Sequence, residues 1–303
     1  MTDPSGGTDH LAPPVPGRRH FGIFLRAVLF LLFVRFFGSL IASVLVETIG
    51  YFPAAALSFF LAATIASAFV VRAFERGRLE DIGMGWTRDS QRHLLLGTAA
   101  GIAGAAFATL LPLAFGAASF EKAPDWSYTP GRLLFVSVLL LFGVAGEEMM
   151  FRGYAFQILL REYSPPAVIG VFAVLFALAH ADNPNASRLG LINTGLWGAL
   201  LGYAFLRARD LWLPIGLHFG WNWVLPLVGV HLSGFEMTLS GYHLVWRGSD
   251  LWSGGAYGPE ASILTSVAVV ALGAWLWRAR LNRQIAPLVE AKNVRTDSAD
   301  RQG

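Results

Sequence analysis

The chain has 303 residues, of which 54% are hydrophobic and only 14% charged. Soluble domains carry about a quarter charged residues, so this balance excludes a soluble enzyme and a disordered chain, and it predicts a polytopic membrane protein. A net charge of +3 gives no case for a nucleic-acid partner, and the absence of Cys excludes disulfides, thiolate metal sites and a Cys nucleophile.

Residues 1–17, rich in Pro and Gly without an apolar period, read as a disordered tail. Arg18-Arg19-His20-Phe21 faintly resembles a twin-arginine signal, but with no cleavage site and a long apolar stretch behind it, it reads as positive charge preceding a first span. The hydropathy predicts eight spans, at 21–46, 53–71, 93–119, 131–162, 165–182, 189–206, 211–229 and 260–281. Each is expected to be a helix, since an open strand cannot satisfy its backbone in lipid. Gly97, Gly101 and Gly104, and again Gly195, Gly198 and Gly202, fall at the three- and four-residue spacing that lets helices approach closely.

Loop charge sets the expected orientation. Arg18, Arg19 and Arg26, the run Arg72 to Arg92, Arg161, Arg207 with Arg209, and Arg278 to Arg283 occupy alternate connections. The opposite connections hold Glu47, Glu121, Asp125, Asp182, Glu236 and Asp250. The positive-inside bias then places both termini in the cytoplasm, with a membrane domain over 18–283 and a polar tail over 284–303. The 230–259 connection is the longest, and no connection is long enough to fold alone.

Ionisable residues within a span cost about 2.5–3.5 kcal/mol on insertion scales, so each needs a reason. Arg35, inside the first span, is accounted for by snorkelling or an ion pair with another helix. The others form three clusters: Glu147-Glu148 with Arg152, then His180, then His218 with Asn222. Glu148 and Arg152 are four apart and can pair, whereas Glu147 is turned about 100° away and is left available as a general base. Tyr163-Ser164-Pro165-Pro166 is a strong helix stop. Glu147 and His180 lie about 24 and 21 Å from that turn, level with each other in an antiparallel hairpin. A single helix over 131–162 would be about 48 Å long, so it must project, tilt or break near Gly153. His218 comes out shallower, about 12 Å from its loop, and tilt or the projecting hairpin must close the gap.

Glu147-Glu148-Met149-Met150-Phe151-Arg152-Gly153, Phe176-Ala177-Leu178-Ala179-His180 and His218-Phe219-Gly220-Trp221-Asn222 fit the motifs EExxFRG, FxxxH and HxxxN. In this order, on separate spans, they resemble the CPBP family of intramembrane proteases, also called the CAAX protease and bacteriocin-processing (Abi) family. Its eukaryotic relatives are the Ras-converting prenyl-protein endopeptidases. The resemblance covers about residues 75–230 and includes the weaker Arg78-Leu-Glu-Asp-Ile-Gly83 run. It implies hydrolysis of a peptide bond in a membrane-associated or prenylated protein or peptide. By the same resemblance, Glu147 activates water with help from His180, His218 and Asn222 stabilise the oxyanion, and Glu148 with Arg152 holds the site together. The family is described both as metalloproteases and as metal-independent glutamate proteases. Glu147, His180 and His218 could ligate zinc in the His₂Glu manner, and the metal-free mechanism uses the same residues.

Two rival readings stand beside this one: a proton-coupled transporter, where Glu and His form a relay, and a catalytically silent immunity or scaffold member of the same family. Arg outnumbers Lys by 21 to two, which points to a prokaryotic source and a bacterial plasma membrane. The residues do not specify the physiological substrate or the oligomeric state.

Overall fold

The structure is a computed structural model and describes residues 16–122, 129–237 and 239–290. Helices occur at all eight expected places, and the architecture is that of an all-α polytopic membrane protein. They are α1 (Pro16–Ile49), α2 (Tyr51–Val70), α3 (Arg88–Ala114), α4 (Pro130–Arg152) with a short continuation α5 (Tyr154–Leu159), α6 (Pro165–Ala179), α7 (Arg188–Ala208), α8 (Trp212–Leu227) and, after a short α9 (Asp250–Ser253), α10 (Ile263–Arg278). Five segments are long and apolar enough to cross a membrane: His20–Ile49, Tyr51–Glu75, Arg88–Ala114, Pro130–Leu159 and Arg188–Ala208. The remaining three helices, α6, α8 and α10, have 15, 16 and 16 residues. At 1.5 Å per residue that is about 22–24 Å, less than the hydrocarbon thickness.

Side-chain caps set several helix starts. Thr87, Ser187 and Ser262 each accept a hydrogen bond from the backbone N–H three residues on, and Pro130 and Pro165 open α4 and α6 at the first turn, where a missing N–H costs nothing. The long expected helix over 131–162 resolves by breaking at Gly153, where ψ is −129°. A Cβ there would lie 3.0 Å from the Met149 carbonyl carbon, so the break requires glycine.

The helices pack as the pairs α1–α2, α2–α4, α3–α8 and α6–α7, with α10 against α3 and α7. The α3–α8 contact is backbone on backbone. A Cβ on Gly97 would lie 2.8 Å from Leu217 N, one on Gly101 2.8 Å from Trp221 N, and one on Gly216 2.8 Å from Thr98 N. These glycines act from both helices, so no side chain separates the two. The seam fixes the height and rotation of α8, which carries His218 and Asn222.

The Arg78–Gly83 run forms a 3₁₀ turn, Leu79–Ile82, beneath the bundle. Gly83 (φ +89°) accepts a hydrogen bond from Leu211 N, and Gln157 Nε2 donates both to Ile82 O at 2.7 Å and to Arg152 O at 3.0 Å. Nearby, Asp210 accepts from His93 Nδ1 at 2.6 Å and from Leu213 N, capping α8. This weak motif is therefore a floor that links α4, α5 and α8.

One feature departs from the sequence reading and another adds to it. The third expected span, 93–119, ends as a helix at Ala114 and gives way to strand β1 (Ala118–Lys122), which pairs antiparallel with β2 (Tyr242–Trp246). The 230–259 connection, read from the sequence only as the longest one, carries β2, α9 and 3₁₀ turns at Gly255–Tyr257 and Pro259–Ala261. Most of the expected tails lies outside the described residues. Within 284–290, Ala286 and Leu288 are buried, and a last short helix, α11 (Pro287–Glu290), forms.

The glycine seam is testable. Gly101→Ala should lower the melting temperature in detergent by several degrees, matching an overpacking cost of about 1–3 kcal/mol. Gly22→Ala, where a Cβ would meet nothing within 4 Å, should leave it unchanged. Equal melting of the two variants would show that the close approach carries no energy.

Candidate active site

Helix α4 delivers the first three residues. Glu148 and Arg152 are both fully buried, and Arg152 Nη1 donates to Glu148 Oε1 at 3.1 Å, as their spacing predicts. The other guanidinium arm, Nη2, donates to the carbonyl of Gly198 on α7 at 2.9 Å. The guanidinium also stacks over the Phe176 ring of α6, 4.6 Å from its centroid. Arg152 thus joins α4 to α6 and α7.

His218 closes the same network from α8. Its Nδ1 lies 2.9 Å from Glu148 Oε1, and since a carboxylate only accepts, Nδ1 carries the hydrogen. This fixes the ring so that Nε2 faces Glu147, 3.9 Å from its Oε2, a separation too long for a hydrogen bond. Glu147 Oε2 has no hydrogen-bond partner among the described residues. Glu148 Oε2 is likewise without a partner among the described residues, so the two adjacent carboxylates differ in access: Glu148 is tied through Oε1 and sealed from the cavity, whereas Glu147 lines it.

His180 sits at the C-terminal end of α6, and its Nδ1 donates to the carbonyl of Phe176 one turn back at 2.8 Å. Nε2 is left with a lone pair to accept a proton. Asn222 lies one turn beyond His218. Glu147, His180, His218 and Asn222 all line one cavity of about 1150 Å³, walled by Phe59, Phe135, Leu139, Trp197, Leu201 and Trp221 among others. The sequence reading put His218 shallower than His180 in upright helices, with tilt or the projecting hairpin needed to close the gap. The structure brings it within hydrogen-bonding distance of Glu148, against the glycine seam.

Phe176 was legible only as a motif letter, yet it is the centre of the packing. Its ring lies 4.7 Å from His180, 5.9 Å from His218 and 5.1 Å from Phe151, besides carrying Arg152. Gln157 and Glu260 also went unread: Gln157 bonds the Arg152 carbonyl, and Glu260 lines the cavity from the turn before α10. Arg35 lines the same cavity and donates to Ser39 of its own helix.

The zinc arrangement can be tested on these positions. The Nδ1 bonds to Glu148 and to Phe176 O leave the Nε2 of each histidine open and do not themselves oppose a ligand role. Among the described residues no three His, Asp or Glu side chains converge as a metal-binding group. The residues present do not fit a His₂Glu centre.

The buried network predicts an asymmetry in mutational cost. Arg152→Met strands the Glu148 charge and should destabilise the protein by about 3–5 kcal/mol. The double variant Glu148→Gln/Arg152→Met should recover much of that loss, as read by melting in detergent. A double variant no more stable than the single one would mean that the charge pair is not the source of the cost.

Residues 129–224 match the family model described as Type II CAAX prenyl endopeptidase Rce1-like. The matched segment runs from the Thr129 cap of α4 into α8 and contains Glu147, Glu148, Arg152, His180, His218 and Asn222. No curated protein and no solved structure matches the chain. Through the segment that builds this site, the chain is similar to the Rce1-like family of type II CAAX prenyl endopeptidases.

Proposed function

We propose that the protein is an intramembrane endopeptidase that hydrolyses a peptide bond by direct attack of water, with Glu147 as general base. The observation that carries this reading is the contrast between the two neighbouring glutamates. Glu148 is committed to Arg152 and His218, while Glu147 Oε2 is unengaged at the cavity wall beside His218 Nε2. A base must be reachable by the water it deprotonates, and of the pair only Glu147 lines the cavity, Glu148 being fully buried.

The other groups supply what amide hydrolysis needs. His180 Nε2, with its lone pair held toward acceptance by the Phe176 carbonyl, helps orient and deprotonate the water. The carbonyl oxygen of the scissile bond becomes an oxyanion as the water adds. A protonated His218 donates to it through Nε2–H, and Asn222 donates through its amide. Glu147 then returns the proton to the leaving amine, so the reaction consumes one water and regenerates the carboxylate.

The substrate is a membrane-associated peptide or protein, CAAX-type by the family description. The lining of the cavity bears on which face it enters from. Tyr51, Arg132, Asp182 and Ser233 lie at the ends of helices or in connections opposite the Arg72–Arg92 and Arg207–Arg209 turns. With both termini cytoplasmic by the positive-inside bias, the mouth opens on the non-cytoplasmic face of a bacterial plasma membrane. That sidedness favours a membrane-associated peptide over a protein prenylated in the cytoplasm.

Two measurements test these statements. Glu147→Ala and His180→Ala should each abolish cleavage of a detergent-solubilised peptide while leaving the protein monodisperse, and full turnover by Glu147→Ala would refute the base assignment. For sidedness, the natural absence of Cys allows single-cysteine labelling in intact cells. An impermeant maleimide should modify Ser249→Cys and spare Glu80→Cys, both at exposed positions. The reverse pattern would invert the topology.

A further inference from the structure

Glu260 lies outside the matched segment, on the 3₁₀ turn Pro259–Ala261 that precedes α10. It lines the same cavity as Glu147, His180, His218 and Asn222. Its position is fixed from three directions. The Asn193 amide donates to its backbone carbonyl at 2.8 Å, and the backbone N–H and hydroxyl of Ser233 both donate to Oε2, the hydroxyl at 2.9 Å. Ser233 is itself held by Asn183, whose amide donates to the Ser233 carbonyl at 3.1 Å. Every one of these bonds goes to the backbone or to one carboxylate oxygen. Oε1 carries no hydrogen bond among the described residues, and no Lys or Arg is paired with the group.

A carboxylate placed this firmly, with one oxygen saturated and the other open to a cavity, is half of an ion pair. Burial pushes the Glu260 carboxyl up, opposed first by the two Ser233 donors and then by the charges of His180 and His218. Glu260 and both histidines line the same cavity. The cavity lining also includes Arg35 and Arg132, from α1 and α4, and the exposed Asp182 and Glu236.

We propose that Glu260 determines specificity, its open oxygen receiving a lysine or arginine side chain of the substrate close to the bond that is cleaved. The assignment rests on the peptidase reading of Glu147. Its physical basis is that a buried, unpaired carboxylate rejects an apolar residue that would cover it and rewards a cation that completes it. The substrate is then a membrane-associated peptide with a basic residue set within an otherwise apolar segment, rather than a uniformly apolar one.

The test uses the full chain in detergent and N-acetylated apolar peptides in which Lys or norleucine is walked through the four positions on each side of the cleaved bond. Acetylation removes the terminal amine as a competing cation. At one position the wild-type kcat/KM for Lys should exceed that for norleucine by about tenfold or more, and Glu260→Gln should reduce that ratio to about one. A ratio that survives in Glu260→Gln overturns the proposal. Because a variant at this position can fail to fold, the wild-type profile also decides alone: no position preferring Lys overturns it equally. Cleavage that depends on Glu147 without any Lys preference counts against Glu260 only, whereas no Glu147-dependent cleavage of any peptide counts against both readings.

Discussion

The structure depends on one buried carboxylate. Glu148 accepts from Arg152 on its own helix and from His218 on α8, and Arg152 carries the link onward to the Gly198 carbonyl on α7 and the Phe176 ring on α6. Four helices are thereby indexed to a single side chain. Burying a charge pair gains little stability of itself, because desolvation consumes most of the attraction. It does give a unique register: any slide of one helix would leave a charge unpaired in a low-dielectric interior. The cost of misalignment, more than the strength of the bonds, holds the site in place.

The same network decides what each neighbouring group is free to do. By taking His218 Nδ1, Glu148 turns the other ring nitrogen to the cavity, and by taking Arg152 it removes the one cation that could neutralise Glu147 from the same helix. His180 is oriented by a separate and simpler device, the carbonyl of Phe176 one turn earlier. The two histidines therefore present equivalent nitrogens to one cavity but are supported independently. Phe176 is the only element common to both supports, as backbone acceptor for one and ring neighbour for the other.

Much of this was legible in the sequence because it is local. Eight apolar stretches gave eight helices, and the four-residue spacing of Glu148 and Arg152 gave their pairing. Helix length alone left projection, tilt or a break near Gly153 open, and the structure takes the break. What the sequence did not yield is tertiary. How the depth gap of His218 is closed could not be read, since the depth argument took helices as upright and could not see how closely α8 is seated on α3. The β1–β2 ribbon escaped because each strand is five residues long and its partner lies more than a hundred residues away. Glu260 escaped for a similar reason: a lone glutamate at the first position of the expected span 260–281 reads as a helix-end charge until Ser233 and Asn193 are found bonded to it.

The backbone contact between α3 and α8 has a bearing on how such a protein can diversify. An interface built from side chains can absorb a substitution by repacking, but one built from glycines and main chain has nothing to rearrange. Variation is therefore confined to the surfaces that this rigid plate faces, above all the connection that carries Ser233 and Glu260 over the cavity. On the proposed reading, the groups that act on the peptide bond and the connection that meets the substrate are mechanically separate, so a new substrate preference could evolve by exchanging that connection while the chemistry beneath it stays still.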